Sequence, residues 1–274
     1  MIDLIYRQMC PGCGGDIESE RLYEGLLCKK CMPKPTDPCA VKSQFLRVCE
    51  LFEKEEAFAK HFQKAVGFAP RDLQRSWVKR LFLDRSFALL APTGIGKTTF
   101  GLALSSFLIP KKSYLLFPTQ LLVQEAQKRL EAMGFEPLVY HSKISKKDRI
   151  KQRIFQGEFT ILITTTNFLY KNFDAIPKEF ELVFVDDVDS VLKSAKNIDK
   201  VLMLLGFESG DIEAALEFID YKRQMAQKGE FDEKKWQWWQ ERMQKIRSKK
   251  RGNLIVSSAT ANPKSRRVHL FREL

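Results

Sequence analysis

The sequence lacks any apolar run that approaches the roughly 18 residues needed for a membrane-spanning helix. Its first ten residues, MIDLIYRQMC, lack the charged-then-apolar layout of a secretory signal peptide. We therefore expect a soluble intracellular protein, located in the cytoplasm. The 274 residues are 44% hydrophobic, which is enough for one good core and a small satellite domain.

Histidine is scarce, and internal repeats and low-complexity tracts are absent. The three histidines, His61, His141 and His269, have neither the spacing of metal ligands nor that of a catalytic triad. Acidic residues are outnumbered, and 46 Lys and Arg against 34 Asp and Glu give a formal charge of +12. This excess favours nucleic acid as a partner, and the solvated Lys/Glu surface of a heat-adapted protein is an equal alternative.

Only six cysteines occur, and four of them form the pairs CPGC and CKKC. In a reducing compartment this spacing predicts a tetrahedral Zn²⁺ site of structural character. The predicted ligands are Cys10, Cys13, Cys28 and Cys31. A redox CxxC is the alternative, but it is expected at a strand-to-helix junction, and the flanks here predict loops. Cys39 and Cys49 are expected to be ordinary thiols.

The chain changes character after the cysteine pairs. MPKPTDP has three prolines that preclude a helix, and apolar residues then recur at helical spacing. We therefore predict a four-cysteine zinc finger over residues 1–35, a helical linker over 36–65 and one larger domain over 66–274.

Six short apolar runs, separated by helical stretches, follow Ser86. They are FALLA, YLLF, PLVY, TILIT, LVFV and LIVS. Runs without alternation predict strands buried on both faces of a parallel sheet, so the expected fold is α/β, with the sheet flanked by helices. About 68 residues separate LVFV from LIVS, too many for one crossover, and we expect a helical insertion over residues 207–252.

The stretch APTGIGKTTF follows a predicted strand and precedes a predicted helix, which is the context of a phosphate-binding loop. Glycines allow backbone N–H groups to turn towards phosphate oxygens, and we expect Lys97 to place a charge on the β/γ phosphates and Thr98 to bind Mg²⁺. Ala91 stands where the usual pattern has glycine. The predicted nucleotide-binding residues are Pro92, Thr93, Gly94, Ile95, Gly96, Lys97, Thr98 and Thr99.

The stretch LVFVDDVDS ends a predicted buried strand in carboxylates, at the sheet edge where doubly wound folds bind ligands. Asp186 is expected to hold Mg²⁺ opposite Thr98, and Asp187 to orient the attacking water. A calcium loop beginning at Asp187 is excluded, because Leu192 stands at its glycine position and Ile198 at its glutamate position.

The stretch SSAT, at the end of the last predicted strand, carries small hydroxyl residues. We expect Ser258 and Thr260 to interact with Asp189 and to couple the nucleotide site to a neighbouring surface. Alone the signal is weak, because Ser and Thr after a strand usually make a turn.

These three motifs, in this order, resemble the core of superfamily 2 helicases, with Asp187 standing where that family has glutamate. The resemblance implies that Gln74 reads adenine and that Phe62 or Phe68 stacks on the base. It also implies, from FPTQLL and TTTNFL, contacts to the backbone of a single nucleic-acid strand by Thr119 and by Thr165 or Thr166.

Within this superfamily, the sequence most closely resembles the reverse gyrase family. The stretches that resemble it are APTGIGKTTFGLAL, LVFVDDVDSVLKSAKNIDKVLMLLGF and IVSSATA, together with the cysteine pairs. The resemblance implies a RecA-like domain that binds ATP, Mg²⁺ and DNA, in a parent chain with a second RecA-like domain and a type IA topoisomerase half that together introduce positive supercoils. An ordinary superfamily 2 helicase, or an ATP- and DNA-binding module without turnover, remains an alternative.

The segment KKWQWWQERMQKIRSKKR holds eight basic residues, one acid and three tryptophans. Basic side chains neutralise phosphates and indoles stack on unpaired bases, so we predict that Lys249, Lys250 and Arg251 contact DNA. The alternative is an amphipathic helix whose tryptophans pack on the domain.

Overall fold

The structure is a computed structural model that describes residues 4–37, 39, 45–187, 195–229, 231–258 and 269–274. The chain divides into two compact units, Met1–Lys60 and His61–Leu274. The predicted boundaries at residues 35 and 65 stay a prediction. No helix in the described ranges is both long and apolar enough to cross a membrane.

The first unit contains an antiparallel pair of short strands, β1 (Ile5–Tyr6) and β2 (Ile17–Glu18), followed by helix α1 (Ser19–Tyr23). Helix α2 covers Phe45–Val66. The small core around the cysteine pairs consists of Cys10, Ile17, Leu27, Cys28 and Met32. A core of this size is too small to stabilise a fold by apolar burial alone.

The two remaining cysteines, Cys39 and Cys49, form a disulfide. The prediction of ordinary thiols is therefore wrong. Their Cα atoms lie 5.6 Å apart, inside the range that a disulfide spans. A separation of ten positions along the chain did not reveal this proximity.

The second unit is built on a six-stranded parallel sheet with the order β3-β8-β7-β4-β6-β5. Its strands are β3 (Phe87–Leu90), β4 (Ser113–Phe117), β5 (Leu138–Tyr140), β6 (Ile161–Thr165), β7 (Leu182–Val185) and β8 (Asn253–Ser258). Each of the six apolar runs forms one strand, so the α/β prediction is confirmed.

Helices flank this sheet. They are α3 (Asp72–Phe82), α4 (Lys97–Phe107), α5 (Gln120–Ala132), α6 (Lys147–Phe155), α7 (Thr166–Asn172), α8 (Ala195–Met203), α9 (Ser209–Lys228), α10 (Glu233–Arg247) and α11 (Leu270–Glu273), with a 3₁₀ turn at Phe173–Ala175. Helices α9 and α10 lie in the segment predicted as a helical insertion. Helix α10 buries Trp239, Met243 and Ile246, residues spaced so that they share one face.

One glycine decides how closely helix α4 lies on the sheet. A Cβ atom at Gly101 would come within 2.7 Å of the Phe184 ring of β7, closer than real atoms approach. Because Gly101 has no side chain, Phe184 packs directly against the helix, and both residues are buried. This contact places the beginning of α4, where the phosphate-loop sequence ends, above the carboxyl end of β7.

Candidate nucleotide site and zinc centre

Three of the predicted motifs meet at one edge of the sheet. Strand β8 pairs with β3 on one side and with β7 on the other. Because all three strands are parallel, their carboxyl ends lie at the same edge. The phosphate loop, the paired aspartates and the start of SSAT therefore follow neighbouring strands.

The phosphate loop joins β3 to α4 and is shaped by two glycines. Gly94 and Gly96 have φ angles of 83° and 93°, a region that L side chains rarely adopt. The ammonium of Lys97 donates to the carbonyl oxygens of Ala91 at 2.5 Å and Pro92 at 2.9 Å. The lysine thus lies along its own loop, at the N-terminus of a helix whose N–H groups favour anions.

The Gln74 side chain ties helix α3 to this loop. Its Nε2 donates to the carbonyl of Gly96 at 3.2 Å, and its Oε1 accepts from the backbone N–H of Arg71 at 2.9 Å. A Cβ atom at Gly96 would lie 2.8 Å from the same nitrogen, so a glycine is needed there for space as well as for φ. The structure thus places Gln74 beside the phosphate loop, and its adenine contact stays a prediction.

The two aromatic residues proposed for base stacking differ in exposure. Phe62 is completely buried, whereas Phe68 is 55% exposed, and their rings meet edge to face at 6.1 Å. Only an exposed face can receive a base, so Phe68 is the better candidate.

The Asp186 carboxylate is held through both of its oxygens. Oδ2 accepts from the Thr98 hydroxyl at 2.9 Å, which joins the aspartate to the phosphate loop, and the shared Mg²⁺ site stays a prediction. Oδ1 accepts from the Ser257 hydroxyl at 2.6 Å. Paired carboxylate and hydroxyl oxygens are ligands that Mg²⁺ prefers, so the residues present fit this ion.

Ser257 was missed by the sequence analysis, which placed its emphasis on Ser258 and Thr260. The only available signal was its position near the end of the last predicted strand. Asp187 has a φ of 58° and donates its backbone N–H to the same serine at 3.4 Å. Asp189 and Thr260 lie outside the described residues, and Ser258 is described only as the last residue of β8, so the coupling role stays a prediction.

A second residue that the sequence did not single out is Arg129. Its guanidinium donates to the Thr99 hydroxyl, joining helix α5 to the start of helix α4. An arginine near the C-terminus of α5 thus reaches the phosphate-loop sequence from a different element.

The three threonines predicted to contact a nucleic-acid strand lie at the carboxyl ends of β4 and β6. Thr119 is the N-cap of α5 and accepts from the N–H of Leu122 at 3.3 Å. Thr165 is the N-cap of α7 and accepts from the N–H of Phe168 at 3.3 Å, and Thr166 begins that helix. Each hydroxyl that caps a helix stabilises its first turn, and the contacts to nucleic acid stay predictions.

Two of the basic residues predicted to contact DNA have partners inside the protein. Lys249 donates to both oxygens of Asp211, at 2.9 and 3.1 Å, and this bond raises the pKa of the lysine. Lys250 donates to the Asp84 carbonyl at 2.8 Å and to Asn253 Oδ1 at 2.7 Å, and burial lowers its pKa. The exposed Arg251 side chain has no hydrogen bond to any described residue.

The three tryptophans of helix α10 have different environments. Trp239 is buried in the main core, and Trp236 is half-buried and packs against it. Trp238 is 50% exposed, with the Arg242 guanidinium 5.0 Å from its ring centroid. The packing alternative therefore describes Trp236 and Trp239, and one indole remains at the surface.

The four cysteines of the first unit converge as predicted. Their sulfur atoms all lie within 4.8 Å of one another, and Cys13 Sγ is 3.7 Å from Cys28 Sγ. Sulfurs bound at about 2.3 Å around a tetrahedral Zn²⁺ are about 3.8 Å apart, so the cluster fits that ion. A cation bound here supplies the charge that allows four thiolates to coexist.

The thiols of this cluster differ in acidity. Burial raises the pKa of Cys10, but hydrogen bonds, led by that from the Cys28 N–H, outweigh burial and lower the pKa to about 6. A hydrogen bond to the Cys13 side chain is the main cause that raises the pKa of Cys31 to about 12. Without a cation, the four thiols therefore do not all ionise near neutral pH.

Arg21 fixes the segment that carries the second cysteine pair. It is buried, and its guanidinium donates to the carbonyls of Leu27 and Met32, both at 2.6 Å. These two carbonyls bracket Cys28 and Cys31. A Cβ atom at Gly12 would lie 3.0 Å from Cys31 Sγ, so a larger residue there would crowd the cluster.

Two protein families match this chain. Residues 1–46 match the reverse gyrase zinc finger, and residues 71–213, just over half of the chain, match the DEAD/DEAH box helicase. The fold also has a likeness to a hypothetical ATP-dependent RNA helicase from Sulfolobus tokodaii, with a TM-score of 0.48, 16% identity, and coverage of 77% of this chain and 54% of that one.

Relatives extend the similarity to the full length of the chain. Reverse gyrase 1 of Aquifex aeolicus is 47% identical over 285 residues, which cover 100% of this chain and 25% of that protein. Reverse gyrase of Methanocaldococcus jannaschii is 35% identical, with coverage of 100% and 18%. The chain thus spans a quarter or less of the length of these two relatives.

Proposed function

The chain belongs to the DEAD/DEAH box helicase family and carries the reverse gyrase zinc finger at its N-terminal side, and we propose that it is the ATP- and DNA-binding helicase-like part of a reverse gyrase. The observation that supports this most directly is the Thr98–Asp186 hydrogen bond beside a glycine-shaped loop that carries Lys97. It joins the two motifs that a nucleoside triphosphatase needs together.

Each residue of the site has a role in this proposal. Lys97 neutralises the β/γ phosphates, while Thr98 and Asp186 hold Mg²⁺. Asp187 orients the attacking water, although it is one methylene shorter than the glutamate of related helicases. Gln74 reads the adenine edge. Mg²⁺, when bound, supplies charge that stabilises the phosphates during transfer.

The nucleic-acid contacts lie on the other half of the sheet edge. Thr119, Thr165 and Thr166 contact a DNA strand at the ends of β4 and β6. Asp189, Ser258 and Thr260 couple nucleotide binding to these contacts.

Two further regions reach DNA in this proposal. Lys249, Lys250 and Arg251, at the end of the helical insertion, neutralise phosphates. The zinc finger over residues 1–35 is mainly structural and also touches DNA. The helical linker over 36–65 and the RecA-like domain over 66–274 complete the proposed organisation.

In the parent protein, we propose, a second RecA-like domain and a type IA topoisomerase half act with this part in the cytoplasm. ATP binding and hydrolysis then shift the two RecA-like domains between states of different DNA affinity, and the whole enzyme introduces positive supercoils. Charge on the transferred phosphoryl group is stabilised in this family by arginines from the second domain. We therefore expect the 274-residue chain to bind nucleotide and to turn over about 10³-fold more slowly than a complete enzyme.

The experiment compares the chain with its Lys97→Ala variant, with and without single-stranded DNA. Binding of a fluorescent ADP analogue is measured by titration, and ATP turnover at steady state. We expect the wild-type chain to bind the analogue, Lys97→Ala to bind it at least about 100-fold more weakly because the phosphate charge loses its partner, and both to hydrolyse little ATP. Equal binding by the two proteins would contradict the site, and turnover equal to that of an intact helicase half would contradict the need for a second domain.

A further inference from the structure

Ser257 is the hydroxyl residue of the β8 strand end that the structure places on the Asp186 carboxylate. It is 1% exposed, and its hydroxyl donates to Asp186 Oδ1 at 2.6 Å. Val185 of β7 pairs with Val256 of β8, so Asp186 and Ser257, the residues that follow this pair, lie side by side on adjacent strands. The bond is therefore defined by the sheet and does not depend on a long side chain.

The two hydroxyls on this carboxylate differ in what else they are needed for. Thr98 lies on Oδ2 and is itself a proposed ligand of Mg²⁺, so its hydroxyl serves both the aspartate and the ion. Ser257 donates to the other oxygen, Oδ1, and belongs to strand β8, which contains no proposed Mg²⁺ ligand. Its hydroxyl also accepts from the backbone N–H of Asp187, at 3.4 Å.

Resting on the proposed nucleotide site, we infer that Ser257 is a positioning residue that holds the Asp186 carboxylate ready for Mg²⁺. A hydrogen bond to a charged group is stronger than a neutral one, and losing it leaves a partly buried carboxylate oxygen without its donor. The aspartate then has more rotamers to lose when it binds the ion. Ser257 also joins both aspartates to the strand that continues into SSAT.

The test measures how much Mg²⁺ the 274-residue chain needs to bind a fluorescent ADP analogue. Ser257→Ala is expected to raise the Mg²⁺ concentration at half-saturation about ten-fold, the effect of one hydrogen bond to a charged group. Binding of the analogue without Mg²⁺ is expected to stay unchanged, because Ser257 contacts the metal carboxylate and not the phosphate loop. Ser257→Thr, which keeps the hydroxyl, is expected to restore the wild-type Mg²⁺ requirement.

Ser113→Ala is the matched control. Ser113 is a fully buried serine at the amino end of β4, and its hydroxyl has no hydrogen-bond partner among the described residues. Its removal is expected to leave the Mg²⁺ requirement unchanged. Should Ser257→Ala not fold, as judged by its melting curve, Ser257→Cys keeps the volume with a weak donor and is expected to show the same rise.

Three outcomes would overturn the inference. One is a Ser257→Ala chain with the wild-type Mg²⁺ requirement. Another is equal weakening of binding with and without Mg²⁺, which would show that Ser257 acts through the fold of the loop. The third is a wild-type chain that binds the analogue without any response to Mg²⁺, which would leave the proposed nucleotide binding intact. A wild-type chain that does not bind the analogue at all would instead refute the proposed function, on which the inference rests.

Discussion

The two units of this chain are stabilised in different ways. The first has a small core in which two of the five buried residues, Cys10 and Cys28, are proposed metal ligands. The second has a much larger apolar core, and its strands β4 and β7 are buried along their whole length. We therefore expect the short segment around the cysteine pairs to depend on a bound ion and on the buried Arg21, whereas the sheet is stabilised by apolar packing.

Removing the metal tests how the first unit is stabilised, and it is expected to have the largest effect. Chelation, or Cys28→Ser, is expected to unfold residues 4–37 and to leave the sheet folded, because structural Zn²⁺ contributes about 10–16 kcal/mol in small domains. Hydrogen exchange resolved by region measures the unfolding of residues 4–37 and the protection of the sheet, with the amides of β6 as the internal reference. If the amides of residues 4–37 stayed protected after chelation, the small core would suffice without an ion.

Adding a side chain at the contact between α4 and β7 tests how the second unit is stabilised. Gly101→Ala places a methyl group 2.7 Å from the Phe184 ring, and overpacking of this kind costs about 1–3 kcal/mol of unfolding free energy. We expect a lower midpoint of thermal unfolding with unchanged zinc content. Gly210→Ala in helix α9, where an added Cβ meets nothing within 4 Å, is the control and is expected to be neutral or slightly stabilising. Equal midpoints for the two variants would show that α4 shifts freely on the sheet.

Basic residues of the insertion can serve packing or DNA binding, and substitutions that separate these two roles have the smallest expected effect. Arg251→Ala removes an exposed cation whose side chain has no hydrogen bond to any residue in the described ranges. The slope of log affinity for single-stranded DNA against log salt is therefore expected to fall by about 0.7, with the melting midpoint unchanged.

Lys250→Ala serves as the counterpart of Arg251→Ala, because it also removes the bonds to the Asp84 carbonyl and to Asn253. It is expected to lower the melting midpoint, since two acceptors lose their donor. An unchanged salt slope for Arg251→Ala would contradict the proposed contact between this residue and DNA.

Much of the fold was predictable because its signals are local. Each of the six strands coincides with an apolar run, and β4 and β7 are buried on both faces, as a run without alternation predicts. Strand β3, at the sheet edge, differs from that prediction, because Ala88 and Leu90 are exposed. The phosphate loop was predictable for the same reason, since its glycines, Lys97 and Thr98 lie within a few positions of one another. The convergence of four cysteine sulfurs was predictable from the spacing of two CxxC pairs, and their binding of Zn²⁺ stays a prediction.

Other parts of the site were not predictable because they join residues that are distant in sequence. Ser257 meets Asp186 across 71 positions, and Arg129 meets Thr99 across 30. Lys249 and Lys250 resembled free cations until the structure placed Asp211 and the Asp84 carbonyl beside them. The prediction that Cys39 and Cys49 are ordinary thiols is the clearest error, because nothing in the sequence indicates that these two cysteines lie close together.

The sequence by itself determined the strands, the phosphate loop, the cysteine pairs and the aspartates after β7, because nearest neighbours along the chain decide each of these. Only the tertiary structure decided that Ser257 reaches the Asp186 carboxylate and that Phe68, not the buried Phe62, offers an open face. The reason is physical: strand register and burial depend on the pairing of distant segments, and a linear pattern contains neither.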